Sequence, residues 1–349
     1  MRSTLTRIPS SPPLSPIAPH WRLGETPWQS IPTPGGSRVR VILDNDFSGD
    51  PDDLYQLVHH VLSPNTDVRL VVASHLRDGD PFDPGPRSAS NALAVARDVF
   101  ARMGLVSDEV LIAGAEHGLR ERGTALPGPA VDAIIAEAMR EDTDQPLYYL
   151  AGGGLTDLAS ALLIEPRIAQ RMTLVWIGGN EHEGLAVPPP GAMPVEYNLL
   201  IDPIAGQVVF TDTEIEIWQI PRDVYRQCLV SHAELRLRVA PCGDLGRYLY
   251  DETQLVIDRA TAQGRGPAET YALGDSPLVL LTALQSTFEA DPSSSDYVLR
   301  PTPALDVDGR YTPRPGARPM RIYTRVDTRL MFEDMFLKIQ EFTRWHAGS

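Results

Sequence analysis

Several residue types and sequence patterns are scarce in this 349-residue chain, and each absence excludes a class of protein. The two cysteines, Cys228 and Cys242, are too few for a disulfide framework, which predicts a reducing, cytoplasmic compartment. No apolar run approaches the roughly 20 residues of a membrane span, and none forms the core of a secretory signal. Lysine is reduced to Lys338, and no basic run interleaved with aromatic residues occurs, so we expect neither nucleic acid nor a membrane as partner.

What the chain does contain is enough apolar sequence for a sizeable core. Hydrophobic residues make up 42% of it, and its formal net charge is −15. We predict a Pro/Ser-rich N-terminal extension over residues 1–37 and a single α/β domain over residues 38–349. Trp21 and Trp28 indicate that part of the extension packs against this domain. The acidity is typical of a well-solvated surface.

Short apolar runs alternate with segments of helical periodicity up to residue 230. This alternation predicts an α/β fold with a mainly parallel central sheet flanked by helices, an open Rossmann-like sheet with right-handed crossovers. Predicted strands cover residues 39–43, 68–74, 110–113, 147–151, 174–177 and 214–220, and predicted helices cover 53–62, 88–103, 130–140, 155–163 and 202–210. Further on, helices are predicted over 231–262, 275–287 and 330–345, with short strands near 304–308 and 320–326.

The densest group of acidic residues directly follows the first predicted strand. Five carboxylates fall within ten residues, namely Asp44, Asp46, Asp50, Asp52 and Asp53. Like charges this close raise one another's pKa or recruit a cation, and oxygen ligands suit Ca²⁺ or Mg²⁺. Because open α/β sheets bind ligands at the carboxyl ends of their strands, the segment predicts a divalent-metal site there.

Three kinds of site have an acidic loop of this type. An EF-hand would begin like Asp44, Asp46, Ser48 and Gly49, but its twelfth position holds Tyr55 instead of glutamate, and no helix precedes the loop. A phosphohydrolase of the haloacid dehalogenase type also has two aspartates after a strand. It needs a lysine to hold the phosphate, and the chain's lysine lies near the C-terminus. The third kind of site depends on motifs elsewhere in the chain.

Six segments together carry a resemblance to one family. They are Asp44–Asp53, Ser90–Leu93, Gly152–Ala159, Trp176–Asn180 with His182–Gly184, Val195–Asn198 with Asp202–Ala205, and Gly274–Leu278. Each motif is weak alone, but all six occur in the family's order over roughly residues 38–345. The chain therefore resembles the inosine–uridine preferring nucleoside hydrolases, of which it looks like a divergent member.

The resemblance implies hydrolysis of the N-glycosidic bond of a ribonucleoside, or a related N-riboside, to base and ribose in purine or pyrimidine salvage. It implies a Ca²⁺ cofactor, a bound water whose proton is taken by a general base, and a homo-dimer or homo-tetramer. Asp44 would not bind the metal itself but would orient the metal ligands or their loop. The roles implied for single residues are Asp46 as general base, Asp46, Asp53, the carbonyl of Gly152 and Asp275 as metal ligands, and Asp52, Glu196 and Asn198 as ribose ligands.

Three positions depart from the family's pattern around the base and the 5′ side of the sugar. Gly274 stands where many members have a histidine that assists the leaving base. The position of the asparagine that normally reaches the 5′ side of the ribose holds Pro190, or Leu185 when the chain is aligned through His182–Gly184, and we predict Asn180 as the substitute. His75 is predicted to take over a substrate contact that a Gly-Asn pair usually makes. A Ca²⁺- and ribosyl-binding protein without hydrolysis is therefore the alternative function.

Overall fold

The computed structural model of the protein describes residues 20–29, 36–106, 109–265, 268–289 and 293–347. Most of the predicted N-terminal extension, residues 1–19 and 30–35, lies outside the described residues. Among the helices of the described part, none is both long and apolar enough to cross a membrane.

Strands and helices alternate along most of the described chain. The strands are β1 Val39–Asn45, β2 Thr66–Ala73, β3 Leu111–Ala113, β4 Leu147–Ala151, β5 Thr173–Ile177, β6 Glu216–Ile220, β7 Leu229–Ser231, β8 Thr270–Ala272, β9 Asp296–Pro301, β10 Ala304–Leu305, β11 Tyr311–Thr312 and β12 Pro319–Arg325. The helices are α1 Asp52–Val61, α2 Ser88–Arg102, α3 Pro129–Ala138, α4 Thr156–Ile164, α5 Tyr197–Ile201, α6 Pro203–Gln207, α7 Arg222–Tyr225, α8 His232–Glu234, α9 Gly243–Ala262, α10 Pro277–Thr282 and α11 Thr328–His346.

Eight of these strands form the central sheet, in the order β3-β2-β1-β4-β5-β6-β12-β9. All neighbouring pairs are parallel except β12 and β9, so the predicted mainly parallel sheet is confirmed. The strand order runs outward from β1 to β3 on one side and from β4 to β6 on the other. A parallel sheet whose order reverses in this way opens a crevice at the carboxyl ends of the two strands that flank the reversal. Here those strands are β1 and β4.

Strand β1 is buried along its whole length, as expected for a central strand covered on both faces. Val41 and Leu43 belong to the core that packs against α1, α2, α9 and α11. Ile42 points to the opposite core, which packs against α3, α4 and α6. Since side chains alternate along a strand, the next three residues after Leu43 are also delivered to alternate faces. The acidic loop therefore starts with its first side chains on opposite sides of the sheet.

The structure departs from the sequence prediction mainly after residue 200. The helix predicted over 202–210 is present as α6 and the helical turns that follow it to Asp212, and the Asp202 carboxylate caps it by accepting a hydrogen bond from the Ala205 N–H at 2.9 Å. The short helix α5 before it was not predicted. The helix predicted over 231–262 is interrupted before Gly243, whose φ of +65° is a left-handed conformation that favours glycine. Strand β9 was not predicted.

The two tryptophans of the predicted extension are buried against the C-terminal helix. The Trp21 indole N–H donates a hydrogen bond to the carbonyl of Met103 at 2.6 Å. The rings of Trp21 and Trp28 have their centroids 5.9 and 5.4 Å from that of Phe342 on α11. This part of the chain is integral to the core beside α2 and α11.

Candidate active site

A cavity of about 480 Å³ lies at the carboxyl ends of β1 and β4, where the strand order reverses. Its volume is in the range of small-molecule binding sites. The lining includes six of the nine site residues predicted from the sequence, namely Asp46, Asp52, Asp53, Gly152, Asn198 and Asp275. Residues that are more than 200 positions apart in the chain thus meet in one place.

Three carboxylates in this cavity form what we call the acidic triad, Asp52, Asp53 and Asp275. One oxygen from each lies within 4.8 Å of the other two. Asp52 and Asp53 form the first turn of α1, where the N-terminal end of a helix stabilises negative charge. Asp275 comes from the segment before α10, and its backbone N–H donates to the Asp52 carboxylate at 3.2 Å. The predicted convergence of the first strand end and a distant aspartate is therefore present in the geometry.

Asn45 at the end of β1 connects two members of the triad. Its side-chain amide donates to Asp53 Oδ1 at 3.0 Å and to Asp275 Oδ2 at 2.7 Å. This residue was not singled out from the sequence, because the aspartates on either side of it dominated the pattern. The alternation of side chains along β1 was the signal that could have indicated it.

Gly152, directly after β4, leaves the room that the triad occupies. A Cβ at this position would come within 3.0 Å of both Asp275 Oδ2 and Asn45 Nδ2, closer than real Cβ contacts allow. The side-chain amide of Asn198 donates to the Gly152 carbonyl and to the Ile177 carbonyl, both at 2.8 Å. A carbonyl oxygen has two lone pairs, so the Gly152 carbonyl can accept this bond and still face a cation.

Two buried carboxylate oxygens at the triad have no hydrogen-bond donor among the described residues. They are Oδ2 of Asp53, in the triad, and Oδ2 of Asp46, beside it. Burial, and next the charge of neighbouring carboxylates, raise the pKa of Asp46 and of all three triad members well above the ordinary aspartate value. Buried acids in mutual contact, with unpartnered oxygens and few cationic neighbours, need a cation or protons for stability. The donor set, all oxygen, fits a hard divalent cation.

Asp44 lies on the opposite side of β1 from Asn45 and faces the other core. It accepts a hydrogen bond from the Tyr149 hydroxyl. Burial raises the pKa of Asp44 to about 8, and the charge of Asp157 adds to the shift. Asp44 therefore fixes the end of β1 through its bond to Tyr149 on the opposite face of the sheet, and it does not line the cavity.

Glu196 is completely buried, and its carboxylate caps α5. Oε2 accepts the backbone N–H of Gly179 at 2.7 Å and that of Leu199 at 3.0 Å. Oε1 accepts the backbone N–H of Asn198 at 3.1 Å and the Tyr225 hydroxyl at 2.6 Å. Glu196 is not among the residues that line the cavity, whereas Tyr225 is. The role of Glu196 as a ribose ligand stays a prediction.

The other two predicted substrate ligands also lie outside the cavity lining. His75 is buried, with Nε2 3.0 Å from the Thr156 hydroxyl and Nδ1 2.9 Å from the Leu76 carbonyl, and it borders a separate hollow where α5 meets α6. Asn180 donates to the Pro194 carbonyl at 2.8 Å and accepts the Glu196 N–H at 2.7 Å. These bonds hold the loop before α5 in place, and the substrate roles of both residues stay predictions.

Aromatic side chains form much of the remaining cavity wall, namely Phe82, Tyr197, Tyr225 and Tyr271. The Tyr197 hydroxyl donates to Asp80 at 2.8 Å, and the Tyr271 hydroxyl donates to Asp50. None of the four was predicted from the sequence as a site residue, because aromatic residues scattered over nearly 200 positions, from Phe82 to Tyr271, show no pattern until the chain folds. A cavity lined by both carboxylates and aromatic rings can hold a sugar diol together with a planar group.

Comparison with known proteins agrees with this geometry. Two proteins named inosine-uridine preferring nucleoside hydrolase match part of the chain. The one from Crithidia fasciculata is 33% identical over 123 residues, which is 32% of this chain and 36% of that protein. The one from Leishmania major is 31% identical over 111 residues, which is 32% of this chain and 33% of that protein. The chain thus spans about a third of the length of the curated relatives it matches.

Solved structures extend the likeness to nearly the whole fold. A purine-preferring ribonucleoside hydrolase from Gardnerella vaginalis aligns with a TM-score of 0.68 at 20% identity, over 87% of this chain and 99% of that one. A plant nucleoside hydrolase aligns with a TM-score of 0.60 at 18% identity, again over 87% and 99%. At these identities the likeness establishes the fold. The family model for inosine-uridine preferring nucleoside hydrolases matches residues 41–329, so the chain belongs to that family.

Proposed function

We propose that the protein hydrolyses the N-glycosidic bond of a ribonucleoside, or a related N-riboside, to a free base and ribose. The observation that carries the proposal is the meeting of the acidic triad with Asp46 and Asn198 in one cavity at the strand-order reversal. Such cleavage passes through an oxocarbenium-like sugar, and nearby negative charge favours a cationic sugar. The family match leaves the haloacid dehalogenase alternative without support.

The residues present fit the Ca²⁺ ion that the family resemblance implies. Asp46, Asp53, Asp275 and the Gly152 carbonyl would hold it, and Asp52, the third member of the acidic triad, is close enough to join them. When bound, Ca²⁺ lowers the pKa of a water and holds the sugar's vicinal hydroxyls. The unpartnered oxygens of Asp46 and Asp53 support this assignment, because they are buried acceptors without donors in the described part of the chain.

Asp46 is the residue that we propose as general base. It takes one proton from the attacking water, whose oxygen forms the new bond to the anomeric carbon of the ribose. The C–N bond breaks, its electron pair stays with the departing base, a proton from solvent neutralises that base, and Asp46 returns the proton it took to solvent. Burial and the Asp53 charge raise the pKa of Asp46, which makes its carboxylate a stronger proton acceptor than an exposed one. A bound cation opposes this shift and keeps the carboxylate ionised at neutral pH.

Asp52 and Asn198 are the proposed ribose ligands within the cavity lining. A carboxylate accepts hydrogen bonds from the hydroxyls of the sugar diol, and the Asn198 amide is already oriented by the Gly152 and Ile177 carbonyls. A ligand that is held by its neighbours loses little entropy when it binds the sugar. The proposal extends to a homo-dimer or homo-tetramer that works in the cytoplasm in purine or pyrimidine salvage, following the family resemblance.

The proposed reaction is tested by assaying release of reducing sugar from a panel of purine and pyrimidine ribosides with Ca²⁺ present. We expect turnover of at least one riboside, with ribose and free base formed in equal amounts. If no riboside is cleaved but ribose raises the melting temperature in the presence of Ca²⁺, the protein binds ribosyl groups without hydrolysing them, and the proposal fails.

Metal binding should appear as a pH-dependent change in stability. The pKa of each triad member is raised above the ordinary value of 3.8, so each folded carboxyl holds its proton more tightly than the unfolded one. The metal-free protein therefore loses stability as pH rises above that value. We expect its melting temperature, measured with EDTA, to fall between about pH 5 and 8, and excess Ca²⁺ to reverse most of that fall.

The matched variant for this measurement is Asp275→Asn, which keeps the shape of the side chain and removes one charge from the triad. It should lose most of the Ca²⁺-dependent rise in melting temperature. If the Ca²⁺-dependent rise in melting temperature is equal at both ends of the pH range, or survives in Asp275→Asn, the ion binds elsewhere.

A further inference from the structure

The carboxylate of Glu196 has no vacant acceptor position. A carboxylate offers about four lone-pair sites, and four donors already bond to this one at 2.6–3.1 Å. Three of them are backbone N–H groups fixed by the turn into α5. The fourth is the Tyr225 hydroxyl, the single side-chain donor of the set. A sugar hydroxyl can therefore reach Glu196 only by displacing Tyr225.

Tyr225 also stands between Glu196 and the cavity. Tyr225 is half-buried and lines the cavity, whereas Glu196 is fully buried behind it. The ring of Tyr225 packs over Gly274, where a Cβ would lie 3.3 Å from Tyr225 Cδ2 and 3.2 Å from Asp52 Oδ2. One side chain thus fills the space above Gly274 and covers Glu196. Gly274 is one of the places where the sequence departs from the family's pattern, whereas Glu196 matches it.

Tyr225 is held firmly in this position by α7. Its backbone N–H donates to the Pro221 carbonyl at 3.1 Å. One turn earlier, the Arg222 guanidinium makes two bonds to the Glu181 carboxylate at 2.8 and 2.6 Å, and a third to the Met193 carbonyl at 2.8 Å. Paired guanidinium–carboxylate bonds of this kind fix both distance and orientation. A ligand that displaced Tyr225 would have to move a short helix tied to two loops.

We propose that Tyr225 determines the sugar specificity of this cavity, so that it selects ribosides whose 5′ carbon carries no hydroxyl. The inference rests on the proposed function, in which the acidic triad faces the 2′,3′-diol. The remaining hydroxyl of a ribose, on its 5′ carbon, then points away from the triad. Glu196 bonds to Gly179, just beyond the end of β5, next to β4 in the sheet, and the proposal places the 5′ carbon toward it.

The chemistry of the Tyr225–Glu196 pair explains why a riboside without a 5′-hydroxyl is preferred to one that has it. The Tyr225 hydroxyl already occupies the carboxylate position that a 5′-hydroxyl would need. A 5′-hydroxyl that reached the pair would contact a neutral phenol oxygen, and hydrogen bonds to charged groups are about twice as strong as those between neutral groups. It would give up its bonds to water for a weaker partner. A 5′-methyl group has no such bonds to lose and packs against the ring.

The test compares kcat/KM for adenosine and 5′-deoxyadenosine, with Ca²⁺, in the wild-type protein and in Tyr225→Phe. We expect the wild type to prefer 5′-deoxyadenosine by about tenfold or more, the scale of one buried polar group left without a good partner. Tyr225→Phe frees one acceptor position on Glu196, so its preference should move toward adenosine by a similar factor. Tyr271→Phe is the matched control, because that hydroxyl lies in the same cavity but bonds to Asp50.

A wild type that prefers adenosine overturns the inference, and this comparison needs no variant to fold. An equal ratio in wild type and Tyr225→Phe, or an equal change in Tyr271→Phe, also overturns it. If neither nucleoside is cleaved, the inference is decided by calorimetry of methyl β-D-ribofuranoside and methyl 5-deoxy-β-D-ribofuranoside with the Ca²⁺-loaded wild type, where equal or tighter binding of the 5-hydroxyl sugar overturns it. The proposed function fails separately if no riboside of the panel is cleaved.

Discussion

Replacing Asp46 by asparagine is expected to lower kcat by about 10²–10⁴-fold, the usual contribution of a positioned general base. Asparagine has nearly the same shape as aspartate and keeps one oxygen, but it cannot accept the proton of the attacking water. Because the sugar contacts at Asp52 and Asn198 stay in place, KM should change much less than kcat. Steady-state release of ribose from the best riboside of the panel measures both constants.

Two controls separate this catalytic effect from a loss of structure. Asp142→Asn removes a carboxylate that is exposed and paired with Arg140 on the surface, and its kcat should equal that of the wild type. The Ca²⁺ content of Asp46→Asn, measured by atomic emission after gel filtration, shows whether the variant still binds the ion. Full activity in Asp46→Asn would remove Asp46 from the role of general base.

Gly152→Ala should abolish most activity through one added carbon atom. The new Cβ would come within 3.0 Å of Asp275 Oδ2 and Asn45 Nδ2, two atoms that are themselves bonded to each other at 2.7 Å. Asp275 is a member of the acidic triad and Asn45 bonds to two of its members, so a shift of either side chain disturbs the triad. Overpacking of this kind costs about 1–3 kcal/mol of folding free energy. A displacement of the triad by even 1 Å is enough for a loss of about 10²-fold in kcat/KM.

The control for this variant is Gly85→Ala, in a loop where the nearest atom to a new Cβ is Asp83 Oδ1 at an ordinary 3.4 Å. We expect Gly85→Ala to match the wild type in melting temperature, Ca²⁺ response and activity. Gly152→Ala should also lose its Ca²⁺-dependent stabilisation, which distinguishes damage to the metal site from general destabilisation. Normal Ca²⁺ response and activity in Gly152→Ala would show that the triad can shift without harm.

The central sheet could be predicted from the sequence because its strands are short apolar runs buried on both faces. Strand β9 could not, since its apolar run, Tyr297–Leu299, is only three residues long between Asp296 and Arg300, and the strand lies at an exposed sheet edge. Its position is decided by antiparallel pairing with β12, a contact between distant residues. Helix α5 could not be predicted either, because its five residues, Tyr197–Ile201, are too few to show helical periodicity.

The acidic half of the candidate site could also be predicted, because its carboxylates are adjacent in sequence and follow a strand. Asp275 was found through the family resemblance, and the structure brings it within 4.8 Å of Asp52 and Asp53. The aromatic half could not be predicted. Tyr225 and Tyr271 are separated by 45 residues of chain, and only the packing of α7 and β8 around the cavity brings both to its wall.

The Arg222–Glu181 pair beside Tyr225 has a further consequence at alkaline pH. The chain has 31 lysine and arginine residues, of which Lys338 is the one lysine, so 31 − 1 = 30 are arginine. Ammonium groups lose their charge near pH 10, whereas guanidinium groups keep theirs well beyond pH 12. The Arg222–Glu181 pair that holds α7, and the surface ion pairs that arginine forms elsewhere, therefore persist in strongly basic solution. In a protein whose ion pairs used lysine, the positive charge of each pair would be lost at that pH.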